Sequence, residues 1–161
     1  MSKNLRKRSK AYKPKQLSSN AHFKALVMAR PLSETVKAKF LSDVDVSILA
    51  MSRGVTNIDH FHKLATMVEI CAIMVKGVFH EKSYEPFIIE AKNGLYRSKQ
   101  RYEKCGAFGL DGLGLKALKD TISIFSDVLD NITGNDLANA IDIINKNIQE
   151  KNFYTPEMMA A

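Results

Sequence analysis

Residues 56–77 read "TNIDHFHKLATMVEICAIMVKG", and the spacing of their apolar side chains decides the fold. Ile58, Phe61, Ala65, Val68, Ala72 and Val75 recur at three- and four-residue intervals, the period of one face of an α-helix. Thr56, with Asp59 three residues on, approximates a capping box, and Gly77 offers a stop. The apolar run Leu64–Phe79 is broken by Glu69 and Lys76, so it is too short and too charged to span a bilayer. This segment reads as a core helix of a globular domain.

The same period extends to both sides. Upstream, "SETVKAKFLSDVDVSILAMSRG" (33–54) starts on Ser33 as N-cap, with Glu34 in the first turn. Val36, Phe40, Val44 and Ile48 repeat every four residues, Leu41 and Met51 widen the stripe, and Gly54 is the expected stop. Downstream, "SYEPFIIEAKNGLYRSKQRYEKCG" (83–106) places Pro86 in a first turn, where proline is tolerated. Its apolar side is Phe87, Ile88, Ala91, Leu95, Ser98 and Tyr102, and Gly94 weakens it midway. After the glycine-rich joint "GAFGLDGLG" (106–114), "LKALKDTISIFSDVLDNITG" supplies Leu115, Leu118, Ile122, Phe125 and Leu129. The last block, "NDLANAIDIINKNIQEK", supplies Leu137, Ile141, Ile144 and Ile148. No segment alternates with period two around hairpin turn residues, and no solenoid repeat is present. The expected fold is all-α: an antiparallel bundle of four to five helices over residues 33–150. Residues 1–20 are expected as a disordered basic arm, 21–32 as a short docking or linker segment, and 151–161 as a loose tail. A chain of 161 residues is long enough to bury one sizeable core without disulfides or metal.

Charge is divided unevenly. "MSKNLRKRSKAYKPK" carries Lys3, Arg6, Lys7, Arg8, Lys10, Lys13 and Lys15 and no acid. The remaining 17 Lys and Arg equal the 17 Asp and Glu, so the whole net charge of +7 sits in the arm. Such an arm can neutralise phosphates and release counterions without regard to sequence. Tyr12 adds a ring that can stack on an unpaired base. A second basic cluster lies in residues 92–104, where Arg97, Arg101 and Lys104 share one helical face. The plain reading of that cluster is a solvated helix face, and the plain reading of the arm is a solubilising tail or a nuclear address.

The basic opening with Tyr12-Lys13-Pro14-Lys15, followed by a helical body containing Ser52-Arg53-Gly54 at a helix junction, resembles a loose family of small prophage-encoded helical proteins. The resemblance implies a phage or bacterial setting and brings no activity with it. The glycine-rich joint has no counterpart in that pattern.

Catalytic and metal signatures are missing from the sequence. His60 and His62 are two residues apart, which on a helix turns them to opposite sides. His80, Glu81 and Cys71 lie elsewhere, with no Cys-x-x-Cys or His-Glu-x-x-His, so neither metal nor cofactor is expected. The glycines of 106–114 follow neither the dinucleotide fingerprint nor the P-loop spacing, and Phe108, Leu110 and Leu113 make this an apolar loop expected to fold onto the bundle. Cys71 with His80 is the kind of pair any such chain offers. Cys71 and Cys105 are expected as reduced thiols, and the first thirty residues contain no secretory apolar core, so a cytoplasmic, non-enzymatic protein is expected.

The expected partner is DNA or RNA, bound non-specifically through the arm. The alternative is a protein-interaction module, such as a phage-encoded inhibitor or adaptor of a host defence or nucleic-acid-processing protein. "FKALVMA" and "PEMMAA" leave monomer and homodimer open.

Overall fold

A computed structural model of the protein describes residues 26–150. The basic arm, the start of the docking segment and the tail at 151–161 lie outside the described residues. Among the described residues five α-helices form an all-α bundle: α1 (Glu34–Ser52), α2 (Ile58–Met74), α3 (Glu85–Cys105), α4 (Gly112–Asn131) and α5 (Gly134–Gln149). Residues 26–28 add a short helical turn.

Local chemistry sets most helix ends. Ser33 Oγ accepts the Val36 N–H at the start of α1, and Gly54 takes φ +70° just beyond its end. α2 is capped one residue later than its sequence suggests. Asn57 Oδ1 accepts the His60 N–H at 3.0 Å, and His60 Nδ1 accepts the Asn57 N–H at 3.3 Å. The box is therefore Asn57/His60, not Thr56/Asp59. Asparagine is the stronger cap, and Thr56 Oγ1 is instead buried without a protein partner. Helical winding also continues beyond α2 and past Gly77. The chain widens into a π-helical turn, Val75–Phe79, and stops at His80, which adopts the left-handed conformation at φ +53°.

Pro86 sits in the first turn of α3, and Gly106 ends that helix at φ +71°. The joint is shorter than the sequence suggests. Asp111 Oδ1 accepts the Gly114 N–H at 2.6 Å and caps α4, so Gly112 and Gly114 lie inside the helix. α5 opens on a reciprocal capping box between Thr133 and Asp136. Thr133 Oγ1 accepts the Asp136 N–H, and Asp136 Oδ2 accepts the Thr133 N–H.

α2 is the central element and packs against α1, α3, α4 and α5. From Leu64 to Met74 none of its residues is exposed, and Phe61, Leu64, Met67, Val68, Ile70 and Cys71 are buried; its first turns, at Ile58, Asp59, His62 and Lys63, meet solvent. α1 contributes Val44, Ile48 and Met51, and α4 contributes Leu118, Phe125, Val128 and Leu129. Phe40 meets the buried Phe125 edge-on, with ring centroids 6.3 Å apart. Five residues expected on core faces lie outward: Val36, Ile58, Phe87, Tyr102 and Ile148.

Two backbone contacts shape the bundle further. α3 and α4 share its longest packing seam, and they touch at Gly94 and Gly114. A Cβ placed on Gly94 would lie 2.6 Å from Gly114 Cα. At the other end, Arg30 C=O accepts the Gly134 N–H at 3.2 Å and Pro31 bridges to Thr133. The segment leading into α1 thus docks on the start of α5.

Candidate nucleic-acid interface

The eight expected contacts of the arm, Lys3, Arg6, Lys7, Arg8, Lys10, Tyr12, Lys13 and Lys15, lie outside the described residues. The three on α3 are placed, and they differ. Arg97 is held by two carboxylates: its Nε donates to Asp111 Oδ2 at 2.6 Å and its Nη2 to Glu90 Oε1 at 2.8 Å. These bonds, Asp111 first, raise the guanidinium pKa further. In return Arg97, then the Gly114 N–H, holds the Asp111 carboxyl below the usual carboxylate range. Arg97 therefore ties α3 to the cap of α4, with its charge balanced on the spot.

Arg101 and Lys104 are exposed and have no carboxylate within salt-bridge distance among the described residues. Arg101 lies across the joint: a Cβ on Gly109 would come 2.8 Å from its Nη1. The glycine makes room for the guanidinium. Ser98 Oγ accepts the Gly109 N–H at 3.3 Å and fixes the same stretch of loop.

Beneath Arg101 the joint inserts Phe108 between two helices. Its ring stacks on Phe61 of α2 with centroids 4.9 Å apart, and on Tyr102 of α3 at 4.1 Å with only 6° between the planes. Phe61 and Phe108 are 5% and 6% exposed, whereas Tyr102 is 41% exposed. Three rings thus form a column whose inner end is the core and whose outer end meets solvent. The apolar reading of the joint holds for Phe108 and fails for Leu113, which is exposed.

Other features supply little chemistry. Glu69, on the central helix, is almost fully buried and faces Lys92, whose Nζ lies 3.0 Å from Oε1 and donates to Oε2 at 3.1 Å. Burial pushes its carboxyl pKa up against the pull of Lys92. Cys71 is buried and its thiol pKa is pushed far up by desolvation, the reverse of what a nucleophile needs. A hollow of about 200 Å³ between α1, α2 and α4 has a floor of Phe40, Val44, Met67 and Phe125. The ion pair of Lys63 with Asp43, 2.8 Å long, crosses its rim. Among the described residues no three of His, Cys, Asp and Glu converge to hold a metal ion, and no helix is long and apolar enough to cross a membrane.

The sequence puts Tyr102 on the apolar side of α3, but its place in the column was not legible there. Phe108, two residues beyond the helix-ending Gly106, was the available signal. No protein-family model, curated protein or solved structure matches the chain.

Proposed function

We propose that this protein is a non-enzymatic accessory protein that binds nucleic acid through its basic N-terminal arm, in a phage or bacterial cytoplasm. The observation that carries the reading is the segregation of charge. Seven cations and no acid occupy residues 1–15, while the rest of the chain is formally neutral. The arm is the electrostatic footprint, and Arg101 and Lys104 extend it onto the bundle. Arg97 belongs to the fold. Binding is to the phosphate backbone and so independent of sequence.

The test is the full-length protein against a variant with the seven arm cations changed to Gln. Full engagement of duplex DNA gives log K falling against log salt with a slope of about −6. The variant loses most of that slope at an unchanged thermal midpoint. No binding of DNA or RNA by the full-length protein at low salt would remove the reading.

A second reading is an adaptor or inhibitor of a host protein. It is favoured by Val46, Leu49, Val55 and Ile58, apolar side chains left exposed along the end of α1 and the start of α2. Under it, changing Leu49 and Val55 to Ser abolishes capture of the host partner and leaves nucleic-acid binding intact.

A further inference from the structure

The nucleic-acid reading leaves open which form of nucleic acid is bound, and the aromatic column at the α3–α4 joint bears on that. Tyr102 is backed by Phe108 at 4.1 Å, and Phe108 by Phe61, with both inner rings buried. The face of Tyr102 turned to Phe108 is covered, so its 41% exposure belongs to the opposite face and the edge. A ring held against a packed second ring, on a helix, has little freedom left to lose on binding. Such a ring offers a flat, pre-oriented π surface to one more planar group.

The charges around it are cationic. Arg101 spans Gly109, the residue after Phe108. Lys99 lies three positions before Tyr102, hence on the same helical face, and adds positive charge beside the ring. Lys104 is turned to the other side of the helix and serves the backbone contact, not the ring.

We infer that the outer face of Tyr102 is a stacking platform for one unpaired nucleobase, with Arg101 placed for a flanking phosphate, so that the preferred ligand is a single strand. The inference rests on the nucleic-acid reading above. A base within a duplex has both faces covered by its neighbours and cannot use the platform, whereas every unpaired base can.

The chain contains no Trp, so Tyr102→Trp in the full-length protein introduces a single indole at the platform. It is titrated at low salt with a dT oligomer and a U oligomer of about twelve nucleotides, and with a duplex of equal phosphate content. Indole fluorescence is expected to be quenched by the single strands and not by the duplex. In parallel, Tyr102→Ala weakens single-strand binding at least about fivefold and leaves duplex binding within about twofold. The thermal midpoint reports whether Tyr102→Ala remains folded; if it does not, the quenching decides. Single strands that bind without quenching, or at unchanged affinity to folded Tyr102→Ala, overturn the platform and leave the arm reading standing. Absence of binding to every ligand overturns both.

Discussion

Gly94 of α3 and Gly114 of α4 meet backbone to backbone, so closely that neither position has room for a methyl group. A Cβ on Gly94 would be 2.6 Å from Gly114 Cα, and one on Gly114 would be 2.9 Å from both Gly94 Cα and Asp111 Oδ1. The obstacle is main chain, which cannot swing aside as a side chain can. Gly94→Ala gains up to about 1 kcal/mol of helix propensity but must force the helices apart, and overpacking costs about 1–3 kcal/mol. The clash prevails. The urea midpoint of Gly94→Ala and of Gly114→Ala is expected to fall; a rise in either would show that the crossing can open without cost.

Asp111 joins two functions in one carboxylate: it caps α4 by accepting the Gly114 N–H, and it anchors Arg97. Asp111→Ala is expected to cost about 0.5–2 kcal/mol, the usual loss for an N-cap. Asp111→Asn keeps a capping oxygen and loses the charge. Because the folded-state pKa of Asp111 lies below its ordinary value, its contribution is present above that ordinary value and is lost as pH falls through the depressed one. The stability gap between wild type and Asp111→Asn should therefore close on acidification below about pH 4. A gap that stays constant would show that the charge adds nothing beyond the cap.

Glu69 has the opposite sign. Desolvation raises its pKa despite Lys92, so the folded state holds its proton more tightly than the unfolded state does. Its contribution is fully present below the ordinary carboxylate value of about 4.3 and is lost as pH rises through the raised one. Denaturation midpoints of wild type relative to Glu69→Gln are expected to decline from pH 4 toward neutrality. If the difference grows instead, the attraction of Lys92 outweighs burial.

Phe108 fastens the joint to the core, although it lies outside every helix. Truncation of a buried Phe costs about 3–5 kcal/mol, and Phe108→Ala should approach that range because its ring touches Phe61 on one side and Tyr102 on the other. Chemical denaturation measures the loss. A cost near that of a surface substitution, within about 0.5 kcal/mol, would mean that the column does not hold the joint.

Where the chain's own neighbours determine structure, the sequence was readable. Ser33, Gly54, Pro86 and Gly106 occupy the cap and terminal positions their chemistry suggests, and the helical period at Val44, Ile48, Leu118 and Phe125 marks true core. What escaped was set by distant partners. Gly94 read as a local weakness because Gly114, which requires it, belongs to another helix. Arg97 read as part of a cationic face because spacing groups it with Arg101 and Lys104. Its carboxylate partner Asp111, 14 residues on, is brought to it only by the turn. For α2 a single apolar stripe was expected, yet Leu64, Met67 and Ile70 off that stripe are also buried. From Leu64 on, the central helix has neighbours on every side, and it keeps an exposed polar face only in its first turns, at Asp59, His62 and Lys63.

The bundle is unequally secured. α2 is gripped by four helices, but α5 leans chiefly on α2 alone and buries only Leu137, Ala140 and Ile144. Its beginning is clasped by the Thr133/Asp136 box and by Arg30, while Ile148, near its far end, is open to water. Fraying therefore starts at the C-terminal turn of α5 and runs inward. It can proceed as a sub-global opening at a free energy below that of complete unfolding. The amide protons of α5 are then the first of the five helices to exchange with solvent, and those of α2 the last.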